Sequence, residues 1–281
     1  MRLLVSGAAG FTGRHFVRSA VAAGHTVVVL RADLSDRDGL EHEVLEAAPE
    51  AVVHLAAVSF VGHADAGAFY KINLLGTLNL LDSLVALPQK PTRVLLASSA
   101  NVYGDCRISP ISEDQNPVPI NHYATSKLAM EFMSKTYLDK LPLFFVRPFN
   151  YTGPGQSPSF LIPKLVKHFV AHAASIELGN LGVEREFNDV RFVCESYLRL
   201  LETAAPGETY NVCSGNPVSL LSVVDLLKTI TGQQMEIRVN PAFVRSNEIP
   251  RLCGDPAKLQ HCIGALQHPS LTDTLKWMLA N

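Results

Sequence analysis

Three glycines within the first thirteen residues constrain this chain more than any other feature. Residues 3–6 read as a short buried strand, and Gly7-Ala8-Ala9-Gly10-Phe11-Thr12-Gly13 follows at once. A helical pattern through Phe16, Val17, Ala20 and Val21 comes next. A strand, a glycine loop and a helix in that order are the context of a dinucleotide-binding fold. Gly7 permits the tight turn, Gly10 lets the backbone approach a pyrophosphate, and Gly13 lets the helix lie close to the strand. The phosphates would rest on free N–H groups at the helix start, around Phe11 and Thr12. The spacing is GxxGxxG, which differs from the GxGxxG of many dehydrogenases, and the competing reading is a purely structural turn.

The chain then alternates strands and helices, which predicts a doubly wound α/β sheet of Rossmann type. Residues 24–30 form the second strand, ending at Leu30-Arg31 where an NAD site usually carries an acid. Arg31 would suit a 2′-phosphate instead, against the plainer reading of a solvated arginine. Asp33-Leu34-Ser35-Asp36 runs almost directly into a helix, so the usual second helix and third strand are cut out or greatly shortened. Residues 51–57 are a buried strand ending in the small residues Ala56 and Ala57 after Leu55, leaving room for a ligand at the crevice. His54, inside this apolar run, reads as a satisfied core histidine. A helix is predicted over residues 72–86, then a strand over 93–97, whose end carries Ser98-Ser99-Ala100-Asn101-Val102-Tyr103-Gly104.

Some twenty residues on, Tyr123 and Lys127 stand four apart, which places both on one face of a helix. A cation beside a phenol would favour the phenolate and ease proton transfer at neutral pH. The plain alternative is a lysine stem lying along an aromatic ring with its head in water. Ser99 projects toward the same crevice and could hydrogen-bond a substrate carbonyl or alcohol.

Composition narrows the classes of partner. With 47% hydrophobic and 18% charged residues the chain reads as a globular protein with a real core. A formal net charge of -2 supplies no basic field for nucleic acid or an anionic membrane surface. Five scattered cysteines without CxxC spacing argue for free thiols in a reducing compartment and against a zinc site, so no metal is expected. No leader-like segment precedes the first strand and no apolar run is long enough to span a membrane, which makes the cytoplasm the expected location.

In the second half, residues 150–155 are a turn-rich junction and 160–170 a helix with Pro163 in its first turn. Asn180, Arg185, Arg245 and Glu248 are candidate nucleotide contacts: an arginine suits a pyrophosphate, and a glutamate can accept two hydroxyl hydrogen bonds. Spacing alone favours ordinary surface charges at these positions.

Taken together, Gly7-x-x-Gly10-x-x-Gly13, the His54–Ala57 strand end, Ser99 before Val102-Tyr103-Gly104, Tyr123-x-x-x-Lys127 and Arg147-Pro148-Phe149-Asn150 resemble an extended short-chain dehydrogenase/reductase. That resemblance implies that Ser99 orients the substrate oxygen, that Tyr123 exchanges its proton, and that Lys127 holds the nicotinamide ribose. It places Asp33 and Leu34 near the adenine and implies an NAD(P) cofactor, with NADP(H) favoured by Arg31 and NAD(H) possible. Related dehydratases carry an acidic residue close behind the serine or threonine, whereas this chain has Ala100 and Asn101, which disfavours elimination. Gly-Asn-Leu at 179–181, Arg-x-Phe-x-Asp-Val-Arg from 185 and Arg-x-x-Glu-Ile-Pro from 245 resemble the family's GDP-sugar branch. Within it, residues 147–155 are most similar to GDP-4-dehydro-6-deoxy-D-mannose reductases, which make GDP-D-rhamnose. By that likeness Asn150, Asn180, Arg185, Arg245 and Glu248 contact the GDP portion. The branch often carries Asp where Glu186 stands and Pro where Ser246 stands.

The reading that follows is NAD(P)H-dependent reduction of the C4 ketone of a GDP-linked 4-keto-6-deoxyhexose. Its alternatives are a nucleotide-sugar 4-epimerase and, in a different class, a non-catalytic dinucleotide sensor. Residues 1–150 are expected to form the dinucleotide-binding domain, completed by about 185–215, with 151–184 and 216–281 forming a smaller C-terminal α/β domain for the nucleotide sugar. Helices over 72–86 and 123–140 resemble the family's dimer-forming pair, so a homodimer is expected.

Overall fold

The buried runs form the central layer of a computed structural model that describes residues 1–60, 65–243 and 249–281. In chain order, β1 (Arg2–Ser6) leads into α1 (Phe11–Ala22), β2 (Thr26–Val29) into α2 (Arg37–Ala47), and β3 (Ala51–His54) into α3 (Ala66–Ala68). A π-helical stretch, Phe69–Gly76, joins α3 to α4 (Thr77–Ala86). After β4 (Arg93–Ala97) come a short 3₁₀ turn (Ala100–Tyr103), α5 (His122–Ser134) and β5 (Leu143–Pro148). Then follow β6 (Tyr151–Thr152), α6 (Leu161–Val170), β7 (Ser175–Leu178), β8 (Glu184–Arg185), β9 (Asn188–Asp189) and α7 (Val190–Thr203). The chain finishes with β10 (Thr209–Val212), β11 (Val218–Ser219), α8 (Leu220–Thr231), β12 (Glu236–Val239), β13 (Arg251–Leu252), α9 (Ala257–Ile263) and α10 (Leu271–Leu279).

Six strands make one parallel sheet in the order β10-β5-β4-β3-β1-β2. Its inner strands are covered on both faces, which is why they read as continuous apolar runs without alternation. One core gathers Leu3, Val5, Phe16, Val53, Leu95, Val146 and the α7 residues Val193 and Tyr197. The opposite face packs Leu4, Val52, Leu96 and Phe145 against Leu40, Leu80, Leu84 and Met130. The chain leaves β1 toward β2 on one side and returns to β3 on the other, so the strand order reverses at β1. Carboxyl ends splay at such a point and leave a crevice. β2 is the sheet edge and α2 leads directly into β3, in keeping with the expected excision.

A third core, with Ile162, Leu165, Phe169, Ile176, Val223, Leu227 and Leu275, holds α6, α8 and α10 against β7 and β12. Two helices differ from expectation. The helix expected over 72–86 begins at Ala66 and passes through the π stretch, inside which buried Asn73 bonds Val58 N (2.8 Å), Val58 O (3.1 Å) and Ser126 Oγ (3.0 Å). The helix expected to reach 140 ends at Ser134 and tightens into a 3₁₀ turn, Lys135–Tyr137. Among the described residues no helix is long and apolar enough to cross a membrane, and all five cysteines are free thiols.

Candidate active site

The β1–α1 turn is built at a distance no side chain would permit. Gly7 takes a left-handed φ of 69°, and a Cβ there would lie 2.6 Å from Ala56 N. A Cβ on Gly13 would lie 2.2 Å from Gly7 O, so α1 starts directly over the turn. Leu55 and Ala56 donate their main-chain N–H groups to Ser6 Oγ at 3.1 and 3.2 Å, locking the end of β3 against this loop. Gly10 precedes α1 without a side-chain cap, and no acid stands in the first turn. The positive end of a twelve-residue helix is therefore left for an anion. A close backbone cradle, an uncapped helix start and the half-buried Leu55, Ala56 and Ala57 beside it fit a dinucleotide pyrophosphate. Phe11 stacks on Tyr151 (6.0 Å between centroids, 18° between planes), and Thr12 Oγ1 lies 2.7 Å from the Tyr151 hydroxyl.

At the end of β2 the side chains of Arg31 and Asp33 are exposed and Leu34 is buried. Asp33 Oδ1 accepts from Ser35 N (2.8 Å) and Ser35 Oγ (2.7 Å), which holds its carboxyl below the usual range. Sequence reasoning missed Glu43. Its carboxylate accepts from the main-chain N–H of Arg31, at 3.0 Å to each oxygen, and of Ala32 at 2.5 Å, which sets the backbone that carries Arg31. A surface hollow of about 370 Å³, lined by Ala8, Ala9, Arg14, Val17, Arg18 and Val29, adjoins the glycine loop and the end of β2.

Ser99, Tyr123 and Lys127 are 5%, 8% and 3% exposed, and all three lie by the carboxyl end of β4. Asn121 starts α5 by accepting Ala124 N at 2.9 Å, so Tyr123 and Lys127 occupy its first two turns on one face. Lys127 donates from Nζ to Ala97 O at 2.7 Å, anchoring the ammonium at the end of β4. Ser99 Oγ accepts from Asn101 N (3.2 Å) and Asn101 Nδ2 (3.1 Å).

Electrostatics at this cluster correct the expectation from spacing. Burial raises the Tyr123 phenol above its ordinary value, and the hydroxyl of Ser99 supplies the pull downward. Burial also pushes Lys127 down to about 8, while the charge of Glu131 acts to raise it. Four-residue spacing placed the two groups on one face; desolvation, not proximity, governs their ionisation. His54 is a satisfied core histidine, bonded to Ser6 Oγ (2.7 Å) and Thr77 Oγ1 (2.8 Å), with burial holding it neutral at about 3.

Residues expected to meet a nucleotide lie outside the main sheet. Asn150 exposes its side chain, while its carbonyl accepts from Asn188 N (2.9 Å) and Nδ2 (3.2 Å). Asn180 is exposed and folds back to accept Gly182 N at 3.0 Å. Arg185, in β8, donates to Glu184 O (2.8 Å) and Pro250 O (3.4 Å). Arg245 and Glu248 lie outside the described residues. Glu186 is fully buried and accepts from Ser214 N (2.6 Å), Ser214 Oγ (3.0 Å), Asn188 Nδ2 (3.2 Å) and Gly254 N (2.7 Å). It therefore pins the segment bearing Arg185 to the loops after β10 and β13, and its distant partners gave the sequence no signal.

The model of the GDP-mannose 4,6 dehydratase family matches residues 26–278. The chain belongs to that family. It is 38% identical over 270 residues to a GDP-6-deoxy-D-talose 4-dehydrogenase of Aggregatibacter actinomycetemcomitans, covering 94% of this chain and 92% of that one. It is 36% identical over 296 residues to a GDP-6-deoxy-D-mannose reductase of Pseudomonas aeruginosa, covering 100% and 96%. The solved structure of RMD from Pseudomonas aeruginosa complexed with NADPH superposes with a TM-score of 0.92 at 35% identity, covering 99% of this chain and 97% of that one. This family member thus combines the extended short-chain dehydrogenase/reductase fold with Ala100 and Asn101 after Ser99.

Proposed function

We propose that this family member reduces the C4 ketone of a GDP-linked 4-keto-6-deoxyhexose, with NADPH preferred over NADH. The observation that carries the reading is the convergence of Ser99, Tyr123 and Lys127 at one strand end of a sheet whose glycine cradle fits a dinucleotide. Two relatives named for chemistry on GDP-6-deoxyhexoses, and a neighbour complexed with NADPH, support the substrate class and the cofactor.

When bound, the reduced nicotinamide supplies the hydride to C4. Ser99 donates its hydroxyl hydrogen to the C4 oxygen and holds it at the end of β4. Tyr123 gives its proton to the same oxygen as negative charge develops there. Burial raises its pKa, which keeps it protonated before each turnover. Lys127, tethered to Ala97 O, would hold the nicotinamide ribose. The α1 N-terminus would take the pyrophosphate, and the exposed Arg31 the 2′-phosphate. Asn150, Asn180, Arg185, Arg245 and Glu248 serve the GDP portion. Ala100 and Asn101 stand directly after Ser99, where related dehydratases carry an acid, which disfavours the removal of water.

The deciding measurement is NADPH oxidation with GDP-4-keto-6-deoxymannose as substrate. Conversion of a GDP-hexose with no added cofactor would favour epimerisation, and tight dinucleotide binding without turnover of any keto sugar would favour a sensor.

The pH dependence follows from Lys127. Because kcat/KM reports the free protein's groups, it is expected to fall as pH rises through about 8, where the ammonium loses its charge. Tyr123, raised by burial, stays protonated through that range, so the limb belongs to the lysine. A profile flat to pH 10 would contradict this assignment.

Pairing of two copies through the π stretch with α4, and through α5, is part of the same reading. Leu75 (54% exposed), Phe132 (59%) and Met133 (46%) present apolar surface there. Light scattering should give twice the chain mass, and Phe132→Glu should return a monomer. The five free thiols suit a reducing compartment such as the cytoplasm.

A further inference from the structure

A hydroxyl oxygen carries one hydrogen and two lone pairs. At Ser99 both lone pairs face donors on the same residue, since Asn101 offers its main-chain N–H at 3.2 Å and its side-chain Nδ2 at 3.1 Å. The first contact is the ordinary cap of the short 3₁₀ turn that begins at Ala100. The second is not needed for capping. It spends the Asn101 amide on an oxygen that its own backbone already bonds. Ser99 is 5% exposed, so solvent does not compete strongly for what remains, which is the hydroxyl hydrogen.

We propose that Asn101 is a positioning residue that fills the acceptor capacity of Ser99 and commits its one hydroxyl hydrogen to donation, toward Tyr123 in the free protein and toward the reacting oxygen when substrate is bound. The inference rests on the reductase reading above and goes beyond it. A serine with a free lone pair could accept the Tyr123 proton and turn the phenol away from the substrate. Asn101 closes that orientation without introducing a charge. It thereby allows Ser99 and Tyr123 to donate to one oxygen together, as a carbonyl becoming an alkoxide requires.

Asn101→Asp and Asn101→Ala test this by the order of their effects. Aspartate keeps the shape of asparagine but replaces the donor with an acceptor, so the Ser99 hydrogen turns toward it. Alanine removes one donor and leaves the main-chain N–H in place. Asn101→Asp is expected to lower kcat by about a hundredfold, as when one donor to a reacting oxygen is lost. Asn101→Ala should lose less, with KM for the keto sugar and the melting temperature unchanged in both. A merely structural role predicts the reverse order, because aspartate is the closer replacement.

A second readout needs no substrate. In protein carrying isotope-labelled tyrosine, with the Tyr123 ring signal assigned through Tyr123→Phe, the titration of Tyr123 should move to higher pH in Asn101→Asp and less in Asn101→Ala. Should Asn101→Asp keep both the parent kcat and the parent Tyr123 titration, the amide oxygen faces Ser99 and the proposal is overturned. Failure of the parent protein to reduce any keto sugar would sink the reductase reading instead, and the Tyr123 titration alone would then decide the role of Asn101.

Discussion

Tyr123→Phe is expected to lower kcat for the keto sugar by about a hundred- to ten-thousand-fold, the usual range for loss of a positioned general acid. The substitution removes one oxygen and leaves the ring that packs beside Phe69, at 6.1 Å between centroids. The glycine cradle and the Lys127–Ala97 contact are untouched, so dinucleotide affinity by fluorescence titration should stay within a factor of about two, well inside the scatter of surface substitutions. Stopped-flow NADPH oxidation separates the two quantities. Normal turnover by the variant would remove Tyr123 from the mechanism, whereas loss of cofactor binding would make the ring a binding element. A related sign applies in reverse. Oxidation of the alcohol needs the phenolate, which burial disfavours, so the reverse reaction should gain as pH rises until Lys127 discharges near 8.

The second large effect concerns stability. Arg147 and Glu131 form an ion pair whose side chains are 7% and 2% exposed, with Nε–Oε1 at 3.0 Å and Nη2–Oε2 at 2.6 Å. Arg147 Nη1 also donates to the Tyr103 hydroxyl at 3.0 Å, and that hydroxyl donates to Asn211 Oδ1 at 2.7 Å. The chain of bonds ties α5, β5, the turn after β4 and β10 together behind the Ser99–Tyr123–Lys127 cluster. Glu131→Ala leaves a buried guanidinium without its counter-charge and is expected to lower unfolding free energy by about 3–5 kcal/mol. Replacing both partners, with Glu131→Leu and Arg147→Met together, should recover much of that loss, since well-packed apolar residues often substitute for a buried pair. Urea denaturation of the single and double variants checks the prediction. Equal losses in both would mean that the pair acts through packing and not through charge. Glu131 has a second effect, because its charge acts to raise Lys127; Glu131→Gln should therefore shift the alkaline limb of kcat/KM below about 8.

Much of the fold and the core of the candidate site were legible in the sequence. A strand, three glycines and a helix at the start prescribe one turn, and the turn has the close approaches at Gly7 and Gly13 that such spacing requires. Two-sided burial writes itself as continuous apolar runs, so β1, β3 and β4 were legible, whereas β5 entered only through the Arg147–Asn150 motif at its end. The spacing of Tyr123 and Lys127 placed them on one helical face because helix geometry is local. What sequence could not carry was the set of distant partners. Glu43 reaches back twelve residues to set the backbone beneath Arg31, and Glu186 binds Ser214 and Gly254 across 28 and 68 positions.

The ionisation of the central pair shows the same division. Sequence alone determined that a phenol and an ammonium share a face beside a strand-end serine, because short-range periodicity is a property of the backbone itself. Only tertiary structure decided that Tyr123 holds its proton and that Lys127 is weakened to about 8. Those values depend on how completely other elements exclude water from the two groups, and exclusion of water is a non-local quantity that no four-residue spacing encodes.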